Sequence, residues 1–189
     1  MEDINKEVAT AFEVIKNGGV LLYPTDTVWG LGCDATNADA VKKIFEIKQR
    51  MESKSMICLV NGDRLLYQLF PEIPQLAFDI LDCSDKPTTL VLDKPKNVAK
   101  ELIAEDDSLG VRIVKETFCY KLIERMKKPL VSTSANISGQ PTPTCFAEIS
   151  PEIINAVDYV VNLDKQKVCK KSSVVIKLTL DSQVKILRK

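Results

Sequence analysis

The chain has 189 residues, 45% of them apolar and 28% charged, with 26 basic residues against 26 acidic. That length supports one sizeable domain with a proper core, and a net charge of zero argues against bulk nucleic-acid binding by phosphate neutralisation. There is no histidine, which excludes a Ser-His-Asp triad, a Cys-His pair, histidine metal ligands and an imidazole base.

Asn5 to Lys16 has apolar residues at three- and four-residue steps (Val8, Phe12, Ile15) and ends at Gly18-Gly19, so a helix is expected. Val20 to Tyr23 predicts a buried strand stopped by Pro24. Ala38 to Gln49 predicts a second helix with Val41, Ile44, Phe45 and Lys48 near one face, capped by Asn37 or Asp39. Met56 to Val60 predicts a strand ending at the Asn61-Gly62 turn, and Leu65 to Phe70 and Leu76 to Leu81 predict helical pieces separated by Pro71 and Pro74. Thr89 to Leu92, Gly110 to Val114 and Pro129 to Ser132 are expected strands. Thr117 is the expected cap of a helix to Met126, with Cys119, Leu122, Ile123 and Met126 inward. Pro151 opens a further helix, Asp158 to Leu163 predicts a strand, and Ser173 to Leu178 and Val184 to Leu187 are β-rich. Interleaved strands and helices without linkers or repeats predict one α/β domain over residues 1–189, around a largely buried mixed sheet.

The six cysteines lack any C-x-x-C pair, and most lie beside apolar residues. They are expected as reduced thiols in or near the core of a cytoplasmic protein. The acidic N-terminus has no apolar signal region, and no apolar run is long enough for a membrane span.

Two segments concentrate polar groups where a ligand could use them. Pro24 to Gly32 follows a strand and carries Thr25, Asp26 and Thr27, a set suited to a small polar ligand, a hydrated cation, or simply a turn. Ser132-Thr133-Ser134-Ala135-Asn136 leaves a buried strand just before Ser138-Gly139. Buried there, each polar group needs a partner or costs about 1–3 kcal/mol. Lys48, Arg50 and Lys54 fit either a helix C-terminus or a triphosphate clamp. Arg112, inside an apolar strand, needs an internal carboxylate or a ligand carboxylate. Ser172-Ser173 is a weak signal, and Lys170-Lys171 reads as a solvated charge cluster.

Together these segments resemble the YrdC/Sua5 family, the threonylcarbamoyl-AMP synthases. The family's P-T-D-T-x-Y-G-L-G segment is matched by Pro24 to Gly32, with Trp29 in the aromatic position. Its K-x-R is Lys48-Gln49-Arg50, and its S-T-S-A-N-x-S-G is Ser132 to Gly139. Pro87 to Val91, Gly110-Val111-Arg112, Ser172 to Val175 and Leu187-Arg188 follow in the family's order. Asp85-Lys86, Ser55 and Ile176 depart from its pattern.

The resemblance implies a twisted open mixed sheet with flanking helices around a concave cleft, in the short single-domain form. It implies that L-threonine, bicarbonate and ATP become threonylcarbamoyl-AMP and pyrophosphate, with Mg²⁺ arriving on the nucleotide and the product feeding t6A formation at tRNA position 37. It assigns Lys48 and Arg50 to the phosphates and to catalysis. Thr89, Ser134, Asn136, Thr142 and Arg188 fall to the nucleotide, and Thr25, Thr27, Lys54, Arg112, Ser132 and Ser172 to L-threonine. A tRNA or the t6A transferase machinery is a possible partner. The competing expectation is a non-catalytic RNA-binding module using the same cleft. With 6% aromatic residues and hydroxyl- and amide-rich motifs, the chain fits a small ligand better than base stacking. Carbamoyl transfer on the same fold, as in hydrogenase maturation, is disfavoured because no zinc-finger or acylphosphatase-like segment accompanies the motifs.

Overall fold

The computed structural model of the chain describes residues 3–49, 56–169 and 172–189. Helix α1 (Ile4–Lys16) is capped by Asp3, and Gly18 at φ +78° leads the chain out of it. It packs Val8, Ala11 and Ile15 inward. Strand β1 (Leu21–Tyr23) pairs antiparallel with β2 (Gly30–Gly32). Helix α2 (Ala38–Ile47) is capped by Asn37, whose carboxamide oxygen accepts from Asp39 N and Ala40 N. The helix ends two residues before the expected Gln49, with Lys48 as its C-cap.

Strand β3 (Ile57–Val60), helices α3 (Asp63–Leu69) and α4 (Gln75–Asp82), and strands β4 (Thr88–Asp93) and β5 (Ser108–Ile113) follow. Helix α5 (Thr117–Met126) begins where expected, but its cap is Glu116, not Thr117. The Glu116 carboxylate takes both Phe118 N and Cys119 N, which a single hydroxyl could not do as well. Phe118 joins Cys119, Leu122 and Ile123 in the core, while Met126 is only half-buried. Strand β6 (Leu130–Ser134), helix α6 (Pro151–Ala156), β7 (Tyr159–Val160), β8 (Val174–Leu178) and β9 (Val184–Arg188) complete the chain. The strand expected over Asp158 to Leu163 shrinks to β7: Tyr159 and Val160 pair with Leu21 and Leu22 of β1, and the contact ends with Val161 N on Leu22 O.

Among the described residues, nine strands form one mixed sheet, in the order β7-β1-β2-β6-β3-β5-β4-β8-β9. The pairs β1–β7, β3–β5 and β4–β8 are parallel and the others antiparallel. Strand β2 carries no strand signal in the sequence, since two of its three residues are glycine. Tertiary packing requires them: a Cβ on Gly32 would meet Val131 O at 2.4 Å and the Tyr23 ring at 2.7 Å. Among the described residues, no helix is long and apolar enough to cross a membrane.

Register decides which side chains share a face. Gly30 opposes Ser134, Ser132 opposes Ile57, and Ile57 opposes Gly110. Arg112 lies two residues beyond Gly110, and so on the same face. Val91 opposes Gly110, so Thr89 also points that way, and Thr89 opposes Val175, which opposes Arg188. One face therefore presents Ser134, Ser132, Arg112, Thr89, Ser173 and Arg188, drawn from four separate strands and the residue preceding β8.

A candidate anion-binding cavity on the sheet face

A cavity of about 200 Å³ opens on that face. Of the residues expected at the site, Thr25, Thr27, Arg112, Ser132, Ser134, Thr142, Ser172 and Arg188 line it. Arg50 and Lys54 lie outside the described residues. Lys48, Thr89 and Asn136 stand behind the lining, each bonded to its neighbours.

Pro24 ends β1, and the next residues fold into a turn closed by the Thr25 hydroxyl. Thr25 Oγ1 donates to Val28 O (2.7 Å) and accepts from Thr27 N (3.0 Å). Thr25 thus lines the cavity but spends its hydroxyl on the turn. That turn aims Asp26 and Thr27 at Arg112. Arg112 Nη2 lies 3.0 Å from Asp26 Oδ1, and Nη1 donates to Thr27 Oγ1 at 3.1 Å. Both alternatives for this arginine meet here: it has an internal carboxylate, yet its Nε is buried without a partner. Arg112 is only 3% exposed, so that N–H cannot turn to water. An unmatched buried donor costs about 1–3 kcal/mol until an acceptor arrives.

The second cation is Arg188. Its Nε donates to Ser173 O (2.9 Å) and its Nη2 to Ser173 Oγ (3.1 Å), and Ser173 Oγ shares a hydrogen bond with Thr89 Oγ1 (2.8 Å). Burial, and then the nearby Arg112 charge, lower the Arg188 pKa from its usual value. Two guanidiniums face one cavity, and among the described residues Asp26 is the one carboxylate in contact with them, an arrangement suited to an anion. Ser173 also lines the cavity, a candidate site residue that the sequence motifs mark only weakly. Its position beside Ser172 is the available signal; both serines line the cavity, but Ser173 is the buried one and the one that Arg188 meets.

Ser134 lines the cavity at the start of the 134–138 turn, and the rest of that turn stands behind it. Asn136 Nδ2 donates to Ile137 O and Gln140 O, both at 2.9 Å, while its Oδ1 is buried and unpartnered. The Lys48 ammonium does not face the cavity: it donates to Ser134 O and, at 2.6 Å, to Asn136 O. Trp29, fully buried, packs its ring at a tilt of 55° and 5.0 Å from Phe146, and its carbonyl accepts from Ala135 N at 3.0 Å. Among the described residues, no group of three or more carboxylates and thiols is placed to hold a metal ion.

Comparison with known proteins gives a consistent picture. The Sua5/YciO/YrdC family model, described as "Telomere recombination", matches residues 13–189. The threonylcarbamoyl-AMP synthase of Pseudoalteromonas translucida (strain TAC 125) is 36% identical over 158 residues, covering 82% of this chain and 84% of that protein. That of Pyrococcus abyssi (strain GE5 / Orsay) is 31% identical over 176 residues, covering 93% of this chain and 51% of that protein. The crystal structure of P. abyssi Sua5 complexed with L-threonine superposes with a TM-score of 0.82 at 30% identity, covering 93% of this chain and 52% of that one. The chain thus spans about half the length of the Pyrococcus protein.

Proposed function

The chain belongs to the Sua5/YciO/YrdC family, and on that premise we propose that it is an L-threonylcarbamoyladenylate synthase, a nucleotidyltransferase joining L-threonine, bicarbonate and ATP. The observation that carries the reading is the buried Arg112 in the polar cavity, with one N–H unmatched. A carboxylate is the ligand that fits it, and threonine is the molecule bound to the similar P. abyssi protein.

In this reading Arg112 holds the threonine carboxylate, with Thr27, Ser132, Ser172 and Lys54 around the amino acid and Thr25 shaping the turn beneath it. Ser134, Asn136, Thr142 and Arg188 face the nucleotide, with Thr89 fixing Ser173 and thereby Arg188. Arg50 takes the phosphates. Lys48 belongs to this site through the turn that carries Ser134 and Asn136. The threonine amine and bicarbonate condense to a carbamate with loss of water. A carbamate oxygen then attacks the α-phosphorus of ATP, and pyrophosphate leaves. The nucleophile is supplied by the substrates, so a chain without histidine can do this chemistry by positioning and charge stabilisation. Mg²⁺, carried by the nucleotide, would neutralise charge on the leaving pyrophosphate and would be held through the substrate phosphates, since Asp26 is engaged on Arg112. The mixed anhydride is an activated carbamoyl donor, and the resemblance makes the tRNA t6A transferase machinery its consumer. The free thiols fit a cytoplasmic setting.

Pyrophosphate release from ATP and Mg²⁺ tests the reading, with L-threonine and bicarbonate each omitted in turn. Release that needs both, and that falls about 10- to 100-fold in Arg112→Ala, the worth of charge-assisted hydrogen bonds of about 1.5–3 kcal/mol, is expected. Release indifferent to threonine, or full turnover in Arg112→Ala, overturns it.

A further inference from the structure

We propose that Lys48 is a positioning residue: its ammonium is an internal cation that locks the 134–138 turn, and it does not contact the substrate phosphates. The proposal deepens the synthase reading and rests on it for its activity readout. Three contacts carry it. The Lys48 Nζ donates to Ser134 O and to Asn136 O, the latter at 2.6 Å. The Lys48 carbonyl accepts from Ser138 N at 2.9 Å. One residue thus grips the turn at every second position, 134, 136 and 138.

Burial points the same way. Lys48 is 1% exposed, a rare state for a lysine unless its charge is engaged. It is the C-cap of α2, where the negative end of the helix dipole favours an ammonium. The backbone carbonyls it holds direct the turn's side chains elsewhere. Ser134 is thereby left lining the cavity, and the Asn136 carboxamide keeps its Oδ1 without an internal partner. A flexible lysine stem fixed this way ties the end of a rigid helix to the wall of the site. The arrangement explains how a lysine can be needed for turnover without touching ligand.

The test uses Lys48→Ala in the full chain, with n-propylammonium as the probe that replaces the lost side chain. The chain has one tryptophan, Trp29, bonded to Ala135 and packed on Phe146, so its emission reports the turn before any ligand is added. The expected result is a shifted Trp29 emission in the ligand-free variant and a fall in kcat of about 10²-fold, the scale of an ångström-sized misplacement. Propylammonium should restore the emission and at least about tenfold of the rate. Unchanged emission with a loss confined to the KM for ATP overturns the proposal, because it means that the ammonium binds nucleotide. If Lys48→Ala does not fold, ¹⁵N detection of the lysine ammonium groups in the wild-type protein decides. A slowly exchanging Lys48 signal indifferent to ATP supports the proposal, and one that moves on ATP addition overturns it. Should the wild type show no threonine-dependent turnover, the synthase reading fails, while the ligand-free emission and its rescue still test the role of Lys48.

Discussion

A guanidinium inside a strand must find acceptors on its own side of the sheet. Arg112 finds Asp26 and Thr27 because the Thr25 turn brings them there. The thiols show the opposite condition. Cys58 is fully buried, and burial pushes its pKa up to about 12. Burial raises Cys119 as well, and Cys33 beside Asp34 is raised by burial first and that charge second. A raised pKa means that the neutral thiol persists as pH climbs, so at pH 8 these three supply almost no thiolate, the reactive form. Labelling of the native protein at pH 8 with a thiolate-selective reagent should therefore modify the exposed Cys83 first and leave Cys33, Cys58 and Cys119 unmodified until urea unfolds the chain. Rapid native labelling of Cys58 would contradict the buried β3 placement.

At the scale of the element, β9 shows how one residue of register sets a site. Val175 opposes Arg188 while Ile176 opposes Ile186, so Leu187 is the extra residue of a bulge. Regular pairing would put Leu187 opposite Val175, on the cavity face, and turn the arginine away. The bulge excludes the leucine, which is left 50% exposed, and delivers the guanidinium to Ser173. Deleting Leu187 removes the bulge but still leaves arginine opposite Val175. That variant should keep pyrophosphate release within about threefold of wild type, while Arg188→Ala should lose about tenfold or more, as for a charged hydrogen-bonding group. Equal losses in the two would mean that the bulge has another purpose.

Across the whole molecule, the cavity is a product of one sheet, with walls contributed from Thr25 at one end of the chain to Arg188 at the other. Ligands that bridge these walls bind the folded state and not the unfolded chain. At about 100 times Kd a ligand adds about 2.7 kcal/mol, or roughly 5–10 °C in Tm for a domain of this size. Thermal unfolding with L-threonine and a non-hydrolysable ATP analogue should show a rise of that order. The same experiment on Arg112→Ala should lose the threonine part of it. No shift with either ligand at saturating concentration would argue that the walls do not close on them.

Much of this was legible in the residues themselves. Apolar periodicity located the helices and most strands, because burial of one face imposes a period on the sequence. The motifs marked segments that reach the cavity, because buried hydroxyls and amides at strand ends need partners, whether a turn's backbone or a ligand. What the sequence could not settle follows from pairing and packing between distant segments. Strand β2, two-thirds glycine, exists because Tyr23 and Val131 fill the space that a Cβ would need. Glu116 displaces Thr117 as a cap because a carboxylate can take two amides. Ser173 rather than Ser172 anchors Arg188 because Ser173 is the buried one and the one that the guanidinium meets. The direction of the Lys48 ammonium was decided by where the 134–138 carbonyls lie, 86 and 88 residues away along the chain. Local sequence determines which groups are present and which elements they ride on; the tertiary structure alone decides which of those groups find each other and which are left for a ligand.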